Sequence, residues 1–245
     1  MNMTIGQQFW VETQLDHIGP SEQVRGLPQP PLELSAGGDE PVIDLPKPAA
    51  LPHHMIDFDA INLARRTLRT YSAAPLSLEE LSFLLWTTQG VENCIGETAT
   101  QRVVPSAGGR HAFETLLLVN RVDGLEAGLY RFRAIGHELL RLPAPSDIIE
   151  QIVEDTVKQK HAGSSAVTFI WIAVMARMVY RYGERGWRYL LLDAGHVCQN
   201  LILAAEIIDC GVCPIAKFDD EKLNRTLGLD GVDQFAVYLG AVGKK

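Results

Sequence analysis

Between Trp187 and Ile208 the chain runs without a proline, with Gly195 as its one interior glycine, and most of its side chains are apolar. That pattern demands a long helix, because proline is what most reliably breaks one. At about 1.5 Å per residue it spans roughly 33 Å, the width of a small domain. Asp193, His196 and Asn200 stand at offsets of three and seven and form a single polar stripe. A helix with so little polar circumference must be covered from several sides. Ala194, Gly195, Ala204 and Ala205 are small enough to admit another helix at close range, and that helix can belong to a second copy of the chain. Asp193, His196, Gln199, Asn200 and Glu206 keep the apolar run short of the roughly 18 uninterrupted residues a membrane span needs. Gly211 is the expected left-handed cap. His196 reads as a hydrogen-bonded structural residue, with Asp193 and Asn200 as polar groups at helix contacts.

With 245 residues the chain can bury a large core without disulfides. Its net charge of -8 disfavours a general nucleic-acid or anionic-membrane surface, so any anion site has to be local. Four cysteines (Cys94, Cys198, Cys210 and Cys213) and a polar beginning without signal-peptide character point to a reducing cytoplasm.

Residues 1–52 hold eight of the 13 prolines, including PQPPLEL, and read as an extended arm with a short helix around Phe9–Leu15. The arm lies across a domain covering residues 53–245. From Asp57, a candidate cap, Ile61, Leu63, Ala64 and Leu68 predict a helix whose exposed side carries Arg65, Arg66 and Arg69. Three guanidiniums so close repel one another unless an anion or carboxylates sit among them, and their forks match phosphate oxygens. The bland alternative is a solvated basic face. Ser77 and Glu80 have capping-box spacing and open a helix to Gly90. The loop Val104–Phe113 contains Gly108 and Gly109, where backbone can approach a ligand, with Ser106, Arg110 and His111 as polar handles. Its spacings are those of neither a dinucleotide fingerprint nor a P-loop. Phe113–Val122, Gly128–Arg133 and Glu138–Leu142 read as antiparallel strands, 146–161 as an amphipathic helix and Ala166–Ala176 as a central buried strand. Val212–Ile215 is short and extended, Asp219–Leu227 a brief helix and Gln234–Leu239 a final strand. The irregular alternation argues α+β, with a mixed or antiparallel sheet flanked by helices.

Four stretches, RRTLRTY at 65–71, PSAGGRH at 105–111, RYGERGWRYLLLDAGHVCQNLILAAE at 181–206 and CPIAKFDD at 213–220, resemble in order and spacing the FMN-dependent nitroreductase family. Within it they are similar to the SagB-type dehydrogenase branch, whose proline-rich leader the arm also resembles. The resemblance implies a homodimer with the long helix at its interface and FMN bound between subunits. By position, Arg65, Arg66, Thr67 and Arg69 would hold the phosphate and ribityl chain, with Lys244 or Lys245 closing over it. Pro105, Ser106, Ala107 and Gly109 would line the flavin ring from the partner chain, and Ala216 or Lys217 would offer a backbone N–H to flavin N5. Fixed donors suit a dianionic phosphate, and a donor at N5 stabilises the electron density that arrives with hydride.

Azoline-oxidising members of that branch carry a Lys-Tyr pair before the central helix, and Arg181 and Tyr182 stand there in this chain. Azoline oxidation needs a base, and arginine stays protonated, so Arg181 could position a carbonyl while Tyr182 is the candidate base. The tyrosine's ordinary pKa of about 10 would then require a perturbing environment. The leading expectation is hydride transfer between FMN and a small-molecule or peptide substrate, with a nicotinamide cofactor or oxygen as redox partner. A nitro or quinone reductase, or a non-catalytic flavin-fold partner in a biosynthetic assembly, are the alternatives. Cys210-Gly-Val-Cys213 could form a dithiol pair but follows a helix C-terminus, where no dipole lowers a thiol pKa, and reads as packing cysteines. Zinc is weaker still, with one CxxC and His53-His54 in the arm.

Overall fold

The computed structural model describes residues 3–51 and 55–245. His53 and His54 lie outside the described residues. In chain order the elements are α1 (Ile5–Glu12), β1 (Val42–Asp44), α2 (Phe58–Ala64), α3 (Leu78–Gln89), β2 (Val91–Ile95), β3 (Ala99–Arg102), β4 (Phe113–Val119), β5 (Gly128–Arg133), β6 (Glu138–Arg141), α4 (Ile148–Asp155), α5 (His161–Ser164), β7 (Val167–Val174), α6 (Met175–Tyr182), α7 (Gly186–Ile207), β8 (Cys210–Ile215), α8 (Asp220–Thr226) and β9 (Gln234–Lys244). Strands β2 and β3 form a separate hairpin, and the others make a seven-stranded sheet in the order β1-β6-β5-β4-β7-β9-β8. Every ladder in that sheet is antiparallel. The protein is thus α+β, as its pattern of elements implies.

The centre of the sheet explains the unbroken apolar run in β7. Phe169, Trp171 and Ala173 point to one face, where they join Leu84 and Leu85 of α3 and Leu190, Ala194 and Leu201 of α7. Ile170 and Ile172 point to the other face, against Ile148 and Ile152 of α4 and Leu223 of α8. A strand covered on both faces has no reason to alternate polar and apolar side chains. Ser77 and Glu80 form the expected capping box, with the Glu80 amide donating to Ser77 Oγ at 3.1 Å and the Ser77 amide to Glu80 Oε2 at 2.9 Å.

Helix α7 matches its expected span to within a residue. Its buried stripe is Leu190, Asp193, Ala194, Val197, Cys198, Leu201, Ala204 and Ala205, at helical spacing toward the sheet. Helix α3 flanks it, with Asn200 donating to Thr87 O, and the arm lies against its start, where Arg188 donates to Thr13 Oγ1 and Trp10 O, so that one ridge is left open. Leu191 and Leu192 are 59% and 60% exposed, and Gly195, His196 and Gln199 continue the same open ridge. Met175–Ile207 is long and apolar enough by composition to cross a membrane, yet it bends at Gly183 and its buried side packs on the sheet.

Several local expectations are corrected. Helix α2 stops at Ala64, so Arg65, Arg66 and Arg69 are not on a helical face. The chain beyond it is extended, with Thr67 bridged to Val212 in parallel and the Leu68 amide donating to Val212 O at 3.1 Å. That edge pairing with β8 outweighs the local helical preference. Gly211 lies inside β8, and the left-handed residue after α7 is Asp209, at φ 55°. A Cβ on Gly211 would collide with Leu68, which accounts for the glycine. The 146–161 segment is two helices, because Val157 and Lys158 both take left-handed φ. The strand expected to Ala176 ends at Val174, where α6 begins. Strand β9 continues to Lys244, well beyond Leu239. The first helix sits earlier than expected, at Ile5–Glu12.

The arm crosses the domain surface through specific bonds. The Leu34 amide donates to Glu114, Arg177 Nε donates to Pro31 O, and Glu33 pairs with Arg133. Its Val42–Asp44 segment becomes the edge strand β1.

Candidate functional site

The sequence-singled residues gather in two places. The first is the loop between β3 and β4. Gly108, Gly109 and His111 all have left-handed φ, of 57°, 64° and 43°, so three residues in four hold a conformation that is costly for anything but glycine. The fold holds this turn from below. The buried carboxylate of Asp193, on α7, accepts from Ser106 Oγ at 2.6 Å and from the Ala107 amide at 3.2 Å. Ser106 Oγ in turn accepts from the His111 amide at 2.9 Å. Burial raises the Asp193 pKa, opposed by these two hydrogen bonds and by the neighbouring His196, whose Nδ1 lies 3.9 Å away. Arg110 Nε donates to Gly108 O, and its Nη2 reaches Thr98 O on the hairpin. His111 is buried among Arg102, Arg110 and Arg177, and desolvation with those charges lowers its pKa to about 3.

Arg181 and Tyr182 press on the same loop from above. A Cβ on Gly108 would collide with Tyr182 Oη and Arg181 Nε, so glycine is required there by contact as well as by φ. The Tyr182 ring packs edge-on against Tyr189, with centroids 4.8 Å apart, and Arg181 lies over it at 5.8 Å. The structure therefore joins Pro105–Gly109 with Arg181 and Tyr182 in one cluster.

The second cluster is at the opposite end of α7. Arg65, Arg66, Thr67 and Arg69 run beside β8, whose C-terminal end leads to Ala216 and Lys217. Among the described residues none of the three guanidiniums has a carboxylate within 4.0 Å. Arg66 Nη1 instead caps the end of α2 by donating to Leu63 O and Arg65 O. The amides of Ala216 and Lys217, both exposed, donate to no acceptor among the described residues. Cys213 Sγ sits 3.4 Å from His161 Nε2 and against Arg69, whose charge partly offsets the upward push of burial on the thiol. Tyr71 Oη lies 2.9 Å from both Leu68 O and Ala241 O, two acceptors for its one proton, and its burial raises its pKa.

Lys244 and Lys245 are already engaged. Lys244 Nζ pairs with Glu80 and donates to Ile208 O, while Lys245 Nζ pairs with Glu206 at 2.5 Å. Cys210 and Cys213 belong to the cores on opposite faces of the sheet, as an odd offset in a strand requires, so they cannot form a dithiol pair. Asn200 behaves as expected, donating to Thr87 O of α3. Among the described residues Asp193 bonds to the loop and to no other helix, a link 87 residues apart in sequence whose only forewarning was its place on the polar stripe. His196 is half exposed, with Asp193 as its neighbour. Sequence reasoning missed the buried pair of Arg177 and Glu114, at 2.5 Å, which anchors arm, α6 and β4 together. A groove of about 680 Å³ bounded by Pro41, Leu129 and Ile149 contains none of the residues of either cluster.

The sequence profile of the nitroreductase family matches residues 63–244. A nitroreductase-like protein of Methanocaldococcus jannaschii is 29% identical over 190 residues, which is 78% of this chain and 92% of that protein. The trifolitoxin-processing protein TfxB of Rhizobium leguminosarum bv. trifolii is 27% identical over 163 residues, 63% of this chain and 44% of its own length. A nitroreductase-like crystal structure from Anabaena variabilis superposes with a TM-score of 0.63 at 29% identity, covering 76% of this chain and 37% of that one. The chain therefore spans less than half the length of these last two relatives.

Proposed function

The chain belongs to the nitroreductase family, and from that premise we propose that it is an FMN-dependent oxidoreductase of the SagB-type branch, acting as a homodimer with each site shared between subunits. The observation that carries this reading is the separation of the two clusters. The loop is tied to Asp193, and the arginine segment joins the chain just beyond Ile207. Those points are roughly 20 Å apart along α7. The exposed ridge of Leu191 and Leu192 runs beside the loop. Antiparallel pairing of two α7 ridges about a two-fold axis would bury this apolar surface and bring the loop of one copy to the arginines of the other.

The donor set fits FMN. Three guanidiniums without carboxylate partners, in a protein of net charge -8, suit a phosphate dianion. The free amides of Ala216 and Lys217 suit an electron-rich ring nitrogen. When bound, FMN supplies the acceptor or donor for hydride. Arg65, Arg66, Thr67 and Arg69 hold its phosphate and ribityl chain, and Pro105, Ser106, Ala107 and Gly109 present backbone to its ring. Lys244 or Lys245 reaches the phosphate only by leaving Glu80 or Glu206.

Substrate choice rests on Arg181 and Tyr182. The similarity to TfxB favours a peptide substrate, with Tyr182 as proton acceptor and Arg181 orienting a carbonyl. Arginine in place of the branch's lysine favours the second reading, a reductase of nitro or quinone compounds. Purified protein should be yellow and release FMN at about one per chain on denaturation. Anaerobic mixing of the oxidised protein with a thiazoline-containing peptide should then bleach the flavin band. A colourless protein that takes up no added FMN refutes the cofactor, and a yellow protein reduced by NADH and reoxidised by nitroaromatics or quinones alone selects the reductase.

A further inference from the structure

A loop with left-handed φ at Gly108, Gly109 and His111 holds its shape only where its surroundings over-determine it. The cost is greatest at His111, which is not a glycine. At the start of the turn, residues 106 and 107, the surroundings converge on one group. Asp193 is 3% exposed, and its carboxylate takes the Ser106 hydroxyl and the Ala107 amide, while the same hydroxyl oxygen takes the His111 amide that closes the turn. Remaining internal bonds, from the Gly109 amide to Ser106 O and the Arg110 amide to Ala107 O, tighten the turn but do not tie it to the rest of the fold. Arg110 attaches the loop to the hairpin of β2 and β3, which lies largely exposed. A long bond of 3.4 Å from Arg177 Nη1 to His111 O ties the loop's far end to α6, and Asp193 is its attachment to α7.

We infer that Asp193 is the positioning residue of the loop, setting through Ser106 the backbone conformation that residues 107–109 present. The carboxylate form is the required one, because it accepts twice and donates nothing. An asparagine would still accept from Ala107 but would face Ser106 Oγ with an amide N–H. That oxygen already accepts from His111, so its own proton would lose its acceptor. The same attachment fixes Gly108 beneath Tyr182 and Arg181. A shift of the loop would therefore move the surface against which both side chains pack. His196, half exposed and beside Asp193, is the titratable group facing the carboxylate on α7, while Ser106 faces it from the loop.

The inference rests on the flavin reading only where FMN binding is measured, and hydrogen exchange tests it without cofactor. In full-length protein carrying D193N, D193A or S106A, the peptide spanning residues 104–112 should exchange about ten-fold faster or more in D193A, and less so in D193N and S106A. Peptides from β4 and α3 should stay at the native rate. FMN affinity should fall at least ten-fold in D193A, with D193N between it and the native protein, and the bound-flavin absorption band should shift. If D193A fails to fold, D193N and S106A decide, since each keeps the packing volume of its site nearly intact. Native exchange across residues 104–112 in both of those variants would overturn the inference. So would accelerated exchange in every variant with unchanged FMN affinity and spectrum, if the native protein binds FMN. If the native protein binds none, the exchange result alone stands and the flavin reading fails separately.

Discussion

Replacing Glu114 with alanine should destabilise the protein more than any surface change, and the structure fixes the size of the loss. Glu114 and Arg177 have side chains 3% exposed, with oxygen and nitrogen 2.5 Å apart. Glu114 Oε1 also accepts from the Leu34 amide at 2.9 Å, while Arg177 donates to Pro31 O at 2.8 Å and more weakly to His111 O at 3.4 Å. E114A therefore leaves a buried guanidinium with carbonyl partners only and an amide without an acceptor. Breaking one side of a buried pair costs about 3–5 kcal/mol, and the orphaned amide adds about 1 kcal/mol. For a chain of this size, about 2–4 °C of Tm is lost per kcal/mol, so the melting temperature should fall by about 10–20 °C. The damage would be larger still because Glu114 is also a favourable charge for Arg102, whose guanidinium burial has already lowered to about 10. Removing both charges, as in E114L with R177M, should recover about 3 kcal/mol relative to the sum of the single changes. Urea unfolding followed by circular dichroism measures the native protein, E114A, E114L, R177M and the double variant, and limited proteolysis should open first near Pro31–Leu34 in E114A. An E114A loss below about 1 kcal/mol, or additivity of the two changes within about 0.5 kcal/mol, would refute the reasoning.

The remaining predictions concern protons, thiols and the candidate base. His111 and His137 are buried, with pKa values lowered to about 3 and about 4 by desolvation first and then by neighbouring cations, Arg102 for the former and Lys47 for the latter. Because the unfolded chain protonates these imidazoles below about 6.5 and the folded protein does not, stability is full above that pH and falls as pH drops toward 4, by up to about 1.4 kcal/mol per pH unit for each histidine. Urea midpoints at pH 7 and pH 5 test this, and equal midpoints would contradict it. Thiol titration of the native protein should find Cys94 reactive and Cys198, Cys210 and Cys213 silent, as their exposure dictates, and diamide should leave Cys210 and Cys213 free; a Cys210–Cys213 disulfide would reverse the assignment to opposite faces. Y182F should lower the rate of azoline oxidation about 100-fold or more while leaving the flavin spectrum unchanged, and an unaltered rate would remove Tyr182 from the chemistry.

What the sequence revealed and concealed follows from the range of the interactions involved. Local signals were dependable: the Ser77–Glu80 box, the apolar run of β7 and the proline-free α7 depend on neighbours a few residues away. The arginine segment was misread because its conformation depends on Val212, far along the chain, and edge pairing there ends at Ala64 the helix that Ile61 and Leu63 begin and whose apolar spacing Leu68 continues. Helix α6 went unrecognised because its buried residues include Arg177, which breaks the apolar period that would reveal it. At the site, residue types identified the loop and the arginines, but neither the bond from Asp193 to Ser106 nor the closeness of Tyr182 to Gly108 leaves a local trace. The distance between the clusters along α7 likewise emerges only when the loop and β8 are placed on the same helix.

A mixed dimer tests the central claim, that each flavin site is shared between two copies. One subunit would carry R66E with R69E and the other G109E, each with its own affinity tag, and doubly tagged dimers would be isolated and reconstituted with FMN. Sharing across the interface predicts one FMN per mixed dimer and none in either parent dimer, because one site then combines native arginines with a native loop. A mixed dimer that binds no FMN, while the native protein binds it, would place both clusters' contributions within one chain and contradict the account.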